Sequence, residues 1–402
     1  MTSPSDDNPL AHAARESRFS LMLGGPLFRL FCRVHLSGQA LENTGRRILV
    51  VAAIAWLPLL VLAVIAGHAL PRSTPIAFLT DIESHARFLV ALPILIWAER
   101  FVHGRLLPMV RQFIERRIVV DDELRNFDAA IASTVRLRDS VWAEVLLLIV
   151  VYTVGLSVWR HQFALTEPSW YSQTVGTPMR LTPAGYWYLL VSLPIFQFVL
   201  LRWYYRLFLW FWFLFRVSRL NLRLVPTHPD KTGGIGFLGG SANAFAPFLV
   251  AQGAALAGLI ASQIFHAGAS LLSFKVEVAG FVAFFVIFML LPLTVFVPAL
   301  SQARRRGSKL FGQLAARYTS RFEDKWFTGN QGLDGELLGS ADLQSLADLG
   351  TGYGMVREMR LVPFGLKDVA RLTSITLLPF LPLTLTAFSL EQLTDYVIKI
   401  IF

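Results

Sequence analysis

Apolar residues in this chain come in long blocks rather than in stripes. Ile48 to Leu70 is a run of 23 nearly unbroken apolar residues behind Arg46 and Arg47. At about 1.5 Å per residue, such a run crosses a hydrocarbon core of roughly 30 Å as a helix. Further blocks follow at Phe88 to Leu107, which contains Pro93, at Val141 to Trp159, at Pro247 to His266, and at Val278 to Leu300, which contains Pro292 and Pro298. A fourth block in chain order begins near Gly185, and its helical pattern runs on to about Leu224. That is roughly 60 Å of helix, so it must tilt, break or project beyond the core. The last block, Leu372 to Phe388, holds Pro379 and Pro382, and its 17 residues stand at the lower limit for a span. The pattern predicts an all-α polytopic membrane helix bundle with six to seven transmembrane helices.

Between the blocks the period changes to that of amphipathic helices. Pro26 to Leu36 places Leu27, Leu30, Phe31 and Val34 on one side, with Arg29, Arg33 and His35 around the other. Arg111 to Ser140 and Ser301 to Trp326 mix arginines and acids with apolar residues at helical spacing, which predicts cytosolic amphipathic extensions. Thr328 to Gly354 reads as a glycine- and acid-rich linker with a short helix at Ala341 to Leu349. Leu390 to Phe402 reads as an amphipathic tail. The expected division is a disordered tail at 1–17, an amphipathic surface helix at 18–45, and a transmembrane domain at 46–402 with cytosolic connectors at 108–140, 216–244 and 301–371.

Composition agrees with lipid as the solvent. The chain is 54% hydrophobic and 16% charged, with a mean hydropathy of +0.53, whereas soluble domains carry about 25% charged residues. The net charge of +10 is concentrated beside apolar runs. It therefore speaks for topology and anionic lipid headgroups rather than for nucleic acid. The segments assigned to the inside carry Arg46 and Arg47, the Arg111 to Arg138 series, Arg202 to Lys231, and Arg304 to Lys325. This bias places the N-terminus in the cytoplasm. The polar first residues predict that the first membrane helix serves as its own insertion signal. A single cysteine, Cys32, excludes an internal disulfide and any CxxC site.

The densest polar stretch is Thr227 to Ala246, THPDKTGGIGFLGGSANAFA, between the fourth and fifth blocks. Glycines at 233, 234, 236, 239 and 240 let the backbone turn with positive φ and expose successive N–H groups, as anion cradles do. Lys231 adds charge, and Ser241 or Asn243 stands where it can cap the fifth helix. His228, Asp230, Lys231, Gly233, Gly234 and Gly236 are accordingly the candidate ligand-binding residues, for an anion, a phosphate or a lipid headgroup. The alternative is a tight connection whose glycines permit close packing. KTGG does not satisfy the phosphate-binding GxxxxGK[ST] pattern. The segment formed by His228, Pro229, Asp230, Gly233, Gly234, Gly236, Phe237, Leu238 and Gly239 resembles an HPD-x-x-GG-x-GFLG loop of uncharacterised bacterial multi-pass membrane proteins. That resemblance implies a bacterial inner (cytoplasmic) membrane and brings no activity with it.

Ionisable residues inside the blocks carry the remaining chemistry, because a charge at the bilayer centre costs at least about 2.5 kcal/mol. Glu99 near the inner end of the second block matches in depth Arg202 and Arg206, one turn apart in the fourth. A Glu99 pair with Arg202 or Arg206 would act as a packing clamp or as part of an ion path. In the fifth block Gln252 and Gln263 share a face, and His266 follows Gln263 by one turn. That face could line a path or bond a neighbouring helix. Gly253 with Ala257, and Ala254 with Gly258, have the small-xxx-small spacing of close helix contacts. No metal site is expected from His103, His228 and His266, and no cofactor or catalytic set is visible. The leading expectation is a transport or channel-type protein with anion preference, its path lined by the fifth helix. The alternative is a membrane scaffold or signalling subunit that binds a partner or lipid through its cytosolic helices and glycine loop, and a membrane enzyme for lipid-linked substrates comes third. Expected partners are anionic lipid headgroups and a second copy of the chain, not nucleic acid.

Overall fold

Backbone N–H and C=O groups within lipid must be satisfied inside their own segment. Among the described residues the regular structure is accordingly helical, apart from a two-residue antiparallel ladder of Ser172–Gln173 with Arg180–Leu181. This architecture is seen in a computed structural model that describes residues 19–34, 43–71, 76–155, 157, 169–173, 180–328 and 341–387. The principal helices are α1 (Pro26–Arg33), α2 (Thr44–Ile65), α3 (82–115), α4 (Leu124–Arg138), α5 (Val141–Gly155), α6 (Pro183–Ser218), α7 (Ala246–Ala267), α8 (Lys275–Leu290), α9 (Val297–Glu323), α10 (Ala341–Arg357) and α11 (Leu366–Thr386).

Among the described residues, five helical runs are long and apolar enough to cross a membrane: Thr44–Ile65, Pro183–Ser218, Gly236–Ala267, Leu271–Phe327 and Leu366–Thr386. The expected second block lies inside α3, a continuous helix whose apolar run is broken by Glu99 and Arg100. The expected third block is described as far as Gly155 and forms the shorter α5. The long helix predicted to reach Leu224 stops at Ser218 instead. The chain then returns extended, with the Arg223 N–H donating to Ile118 O at 2.8 Å.

Burial separates centre from rim. In the run that contains α7, 72% of the apolar stretch is buried, against 17% in α2. Helix α7 packs on α3 and α11 through its small residues. Gly253 lies against Pro379 and the Thr376 carbonyl, and Gly258 lies against Ala86 and the Ile82 carbonyl. The small-xxx-small spacing thus sits at true backbone approaches. Replacing Gly258 by leucine is expected to force these helices apart and to cost about 1–3 kcal/mol, read as a lower thermal midpoint in detergent, whereas the exposed Gly280 tolerates the same change.

Three sequence expectations are corrected by packing. Phe19 to Met22, assigned to a surface helix, are buried, with the Phe19 ring 5.0 Å from that of Phe213. Among the described residues 19–34 only α1 is helical, because Pro26 starts the helix and the preceding apolar residues find a better site in the core. Within the stretch expected as a linker, the short helix expected at Ala341 to Leu349 is present but runs on to Arg357, through three glycines. Helix α10 lies on α9, where Gly352 meets the Phe311 ring so closely that a Cβ would stand 3.1 Å from it. Ser241 and Asn243 do not cap α7. They lie within a short helix, Gly239–Ala244, and α7 starts after Phe245 with no side-chain cap. The expected tails at 1–17 and Leu390 to Phe402 lie outside the described residues.

Candidate functional site

The first turn of α2 and the middles of α3 and α6 meet around one carboxylate. Glu99 on α3 accepts from Arg206 at 2.8 Å and from Arg47, and stands 3.6 Å from Arg202. Arg202 turns its other terminal nitrogen to Glu144 of α5 at 3.4 Å. Glu144 in turn accepts the Leu27 N–H of α1 at 2.8 Å. The arginines and both glutamates are buried. Three guanidiniums therefore face two carboxylates away from water. Arg206 keeps its second terminal nitrogen, and Arg47 its Nε, without a partner. The guanidinium of Arg206 also lies over the Trp203 ring, 5.1 Å from its centroid, and that of Arg47 over Phe31 at 5.5 Å. The structure brings Glu99, Arg202 and Arg206 together. Sequence reasoning missed Arg47 and Glu144, which look like an ordinary inside-marker arginine and a helix-start acid.

The glycine loop is built differently. Asp230 accepts the N–H groups of Thr232 at 2.8 Å, Gly234 at 3.1 Å and Gly236 at 2.9 Å, and His228 Nδ1 lies 2.9 Å from it. Burial pushes the Asp230 carboxyl upward, but the three backbone donors and His228 outweigh it and hold the group below the usual carboxylate range. The N–H cradle thus faces an anion that the chain itself supplies. Gly233 and Gly234 take positive φ, at 68° and 102°, and Lys231 shares that region at 58°. At Gly236 a Cβ would stand 2.9 Å from the Asp230 carboxylate. The Lys231 ammonium pairs with Glu358 near the end of α10, and Arg360 donates to the Asp230 carbonyl at 3.1 Å. These contacts tie the loop to the segment between α10 and α11.

A third polar group lies at the N-terminal end of α3. Asp81 accepts from Ser84 Oγ at 2.6 Å and from the Trp170 indole at 2.9 Å, while Arg87 bonds Glu83 and the Tyr188 hydroxyl. Asp81, Glu83, Ser84, Arg87 and Tyr188 line a pocket of about 160 Å³ together with Gln197. The helices around it carry π-helical turns at Ala86–Ala91, Val151–Gly155 and Tyr188–Ser192, a distortion frequent at functional sites. Arg87 and Glu99 are about 18 Å apart along the helix axis. Between them Phe88, Ala91, Leu92 and Leu95 are all buried.

The fifth-helix residues do not converge. The Gln252 amide donates to the Tyr204 hydroxyl, Gln263 is exposed, and the His266 ring lies 3.0 Å from the Ser262 carbonyl of its own helix. Among the described residues no group of three or more His, Cys, Asp or Glu side chains is placed to hold a metal ion. Comparison with protein-family models, with curated proteins and with solved structures returned no match.

Proposed function

We propose that this integral membrane protein is a scaffold or signalling subunit, which presents a helical hairpin to an acidic partner on the cytoplasmic side of a bacterial inner membrane. The observation that carries this reading is the pair α9 and α10. Helix α9 continues 27 residues from Val297, past the end of the apolar run, and α10 lies along it. Arg305, Arg306, Lys309, Arg317 and Arg321 are exposed on α9 together with Leu310 and Leu314. Exposed basic and apolar residues on a helix outside the bilayer suit an acidic partner surface.

In this reading the protein has six to seven spans, with α3 and α5 joining the five long apolar helices and the N-terminus in the cytoplasm. Glu99 on α3 is tolerated at depth because arginines surround it. The transport reading is the weaker one. On the face of α7 where a path was expected, Gln252 donates to Tyr204 and Gln263 is exposed, buried apolar side chains separate Arg87 from Glu99 along α3, and among the described residues the outer pocket sets Asp81 and Glu83 against Arg87.

Two measurements decide. Purified protein in liposomes is expected to pass anions no faster than empty liposomes, and a flux well above that background overturns the scaffold reading in favour of transport. A photo-crosslinking residue at Leu314 is expected to trap a protein adduct in native membranes, and to lose it when Arg317 and Arg321 become glutamate. An adduct insensitive to those charges sinks the acidic-partner reading.

A further inference from the structure

The arginine cluster forms one wall of a cavity of about 210 Å³ that the scaffold reading does not use. Arg47, Glu99, Arg202 and Arg206 stand at one end. The rest of the lining is apolar: Leu27 and Phe31 of α1, Val51 and Ile54 of α2, Ile96 of α3, and Ile195, Phe198 and Val199 of α6. Val51 and Ile54 lie one and two turns above Arg47 toward the middle of the bilayer. Val199 and Ile195 rise in the same way from Arg202. The cavity therefore runs from a charged floor at the inner boundary into an apolar shaft. Ile54, which lines it, is also 44% exposed on a helix at the rim of the bundle, so the shaft opens sideways toward lipid.

Charge balance gives the floor its need. Arginine stays protonated in proteins. Glu99 and Glu144 supply two negative charges against Arg47, Arg202 and Arg206. Arg138, next along, is matched by Asp139 at 2.7 Å. Among the described residues one positive charge is left over at a site where Arg206 is 3% and Arg47 2% exposed, and an uncompensated buried charge is strongly unfavourable. The free terminal nitrogen of Arg206 and the free Nε of Arg47 are the donors still to be satisfied.

We infer that this cavity binds an anionic amphiphile from the inner leaflet, its phosphate or carboxylate on Arg206 and Arg47 and its alkyl chain in the shaft lined by Val51, Ile54, Ile195 and Val199. A free hydrated anion would meet the charged floor but not the apolar walls, and a neutral lipid the reverse. Both halves of the ligand are required. Helix α1 then acts as the cover: Leu27 and Phe31 face the cavity while Leu30 and Val34 remain exposed to lipid.

The test uses the full chain in a neutral detergent, with phosphatidylglycerol, phosphatidylcholine, oleate and inorganic phosphate as probes, each read by native mass spectrometry and by the shift in thermal midpoint. Phosphatidylglycerol or oleate is expected to be retained at least tenfold better than phosphatidylcholine, and whichever of the two is retained identifies the source of the anion. Arg206→Met is expected to weaken retention at least tenfold. Val199→Trp, which fills the shaft and touches no arginine, is expected to do the same, and it keeps the test decisive if the arginine variant does not fold. Equal retention of phosphatidylcholine overturns the inference. So does full competition by inorganic phosphate, or a Val199→Trp protein that binds like the parent.

Discussion

Glu99→Gln is expected to cost the folded protein about 3–5 kcal/mol, the range found when one partner of a buried ion pair is removed and the other is left behind. The loss arises less from the bonds broken than from the arginines that remain. Arg206 at 2.8 Å, Arg47, and Arg202 at 3.6 Å would be buried with Glu144 as their single nearby carboxylate among the described residues. The amide oxygen of glutamine still accepts one hydrogen bond but carries no charge. The measurement is equilibrium unfolding in a neutral detergent, free of anionic lipid so that no added counter-ion masks the effect. The double variant Glu99→Met with Arg206→Met removes one charge of each sign and is expected to recover more than half of the loss. A single-variant cost under about 1 kcal/mol, the scale of an exposed pair, would mean that these arginines are solvated.

Asp230→Ala is the second large effect. It strips the acceptor from the N–H groups of Thr232, Gly234 and Gly236, and from His228, at the turn that leads from α6 into α7. Each donor left buried without a partner costs about 1–3 kcal/mol, and those that water reaches cost less. The readout is hydrogen exchange over residues 230–239, expected to speed up markedly, together with a lower thermal midpoint. The same carboxylate sets a pH dependence. Its folded pKa is depressed, so it contributes stability that is present above the unfolded value of about 3.9 and is lost as the pH falls through the folded value. Destabilisation of the parent below about pH 4 should therefore be blunted in Asp230→Ala. Unchanged exchange in the variant would show that the loop is held by the Arg360 contacts instead.

The two sites differ in how far the linear chain revealed them. Glu99, Arg202 and Arg206 were legible because charges inside apolar blocks are costly and their depths matched. Arg47 was not, because a basic residue at the mouth of a first span serves topology equally well. Only the packing of α2 against α3 sets it on Glu99. The glycine loop was legible as a place where backbone N–H groups converge, and the positive φ of Gly233 and Gly234 follows from that composition. That Asp230 itself faces those groups depends on how the turn closes, which residue types alone leave open. Gln252 and Gln263 share a helical face by spacing, yet one bonds Tyr204 and the other is exposed near the end of α7. A shared face says nothing of which neighbour covers each turn.

The amino-acid sequence by itself determined that this is a helical chain for lipid, where most of the long helices lie, and which small residues allow α7 to approach its neighbours. Those properties follow from local quantities: run length, the cost of unpaired backbone groups in hydrocarbon, and side-chain size. Tertiary structure alone decided that Phe19 to Met22 enter the core, that the helix starting at Ala341 runs on to Arg357 along α9, and that three helices and the cover helix α1 enclose a charged floor beneath an apolar shaft. Those properties depend on contacts between segments distant in the chain, where burial and charge balance are shared among residues that no local pattern links.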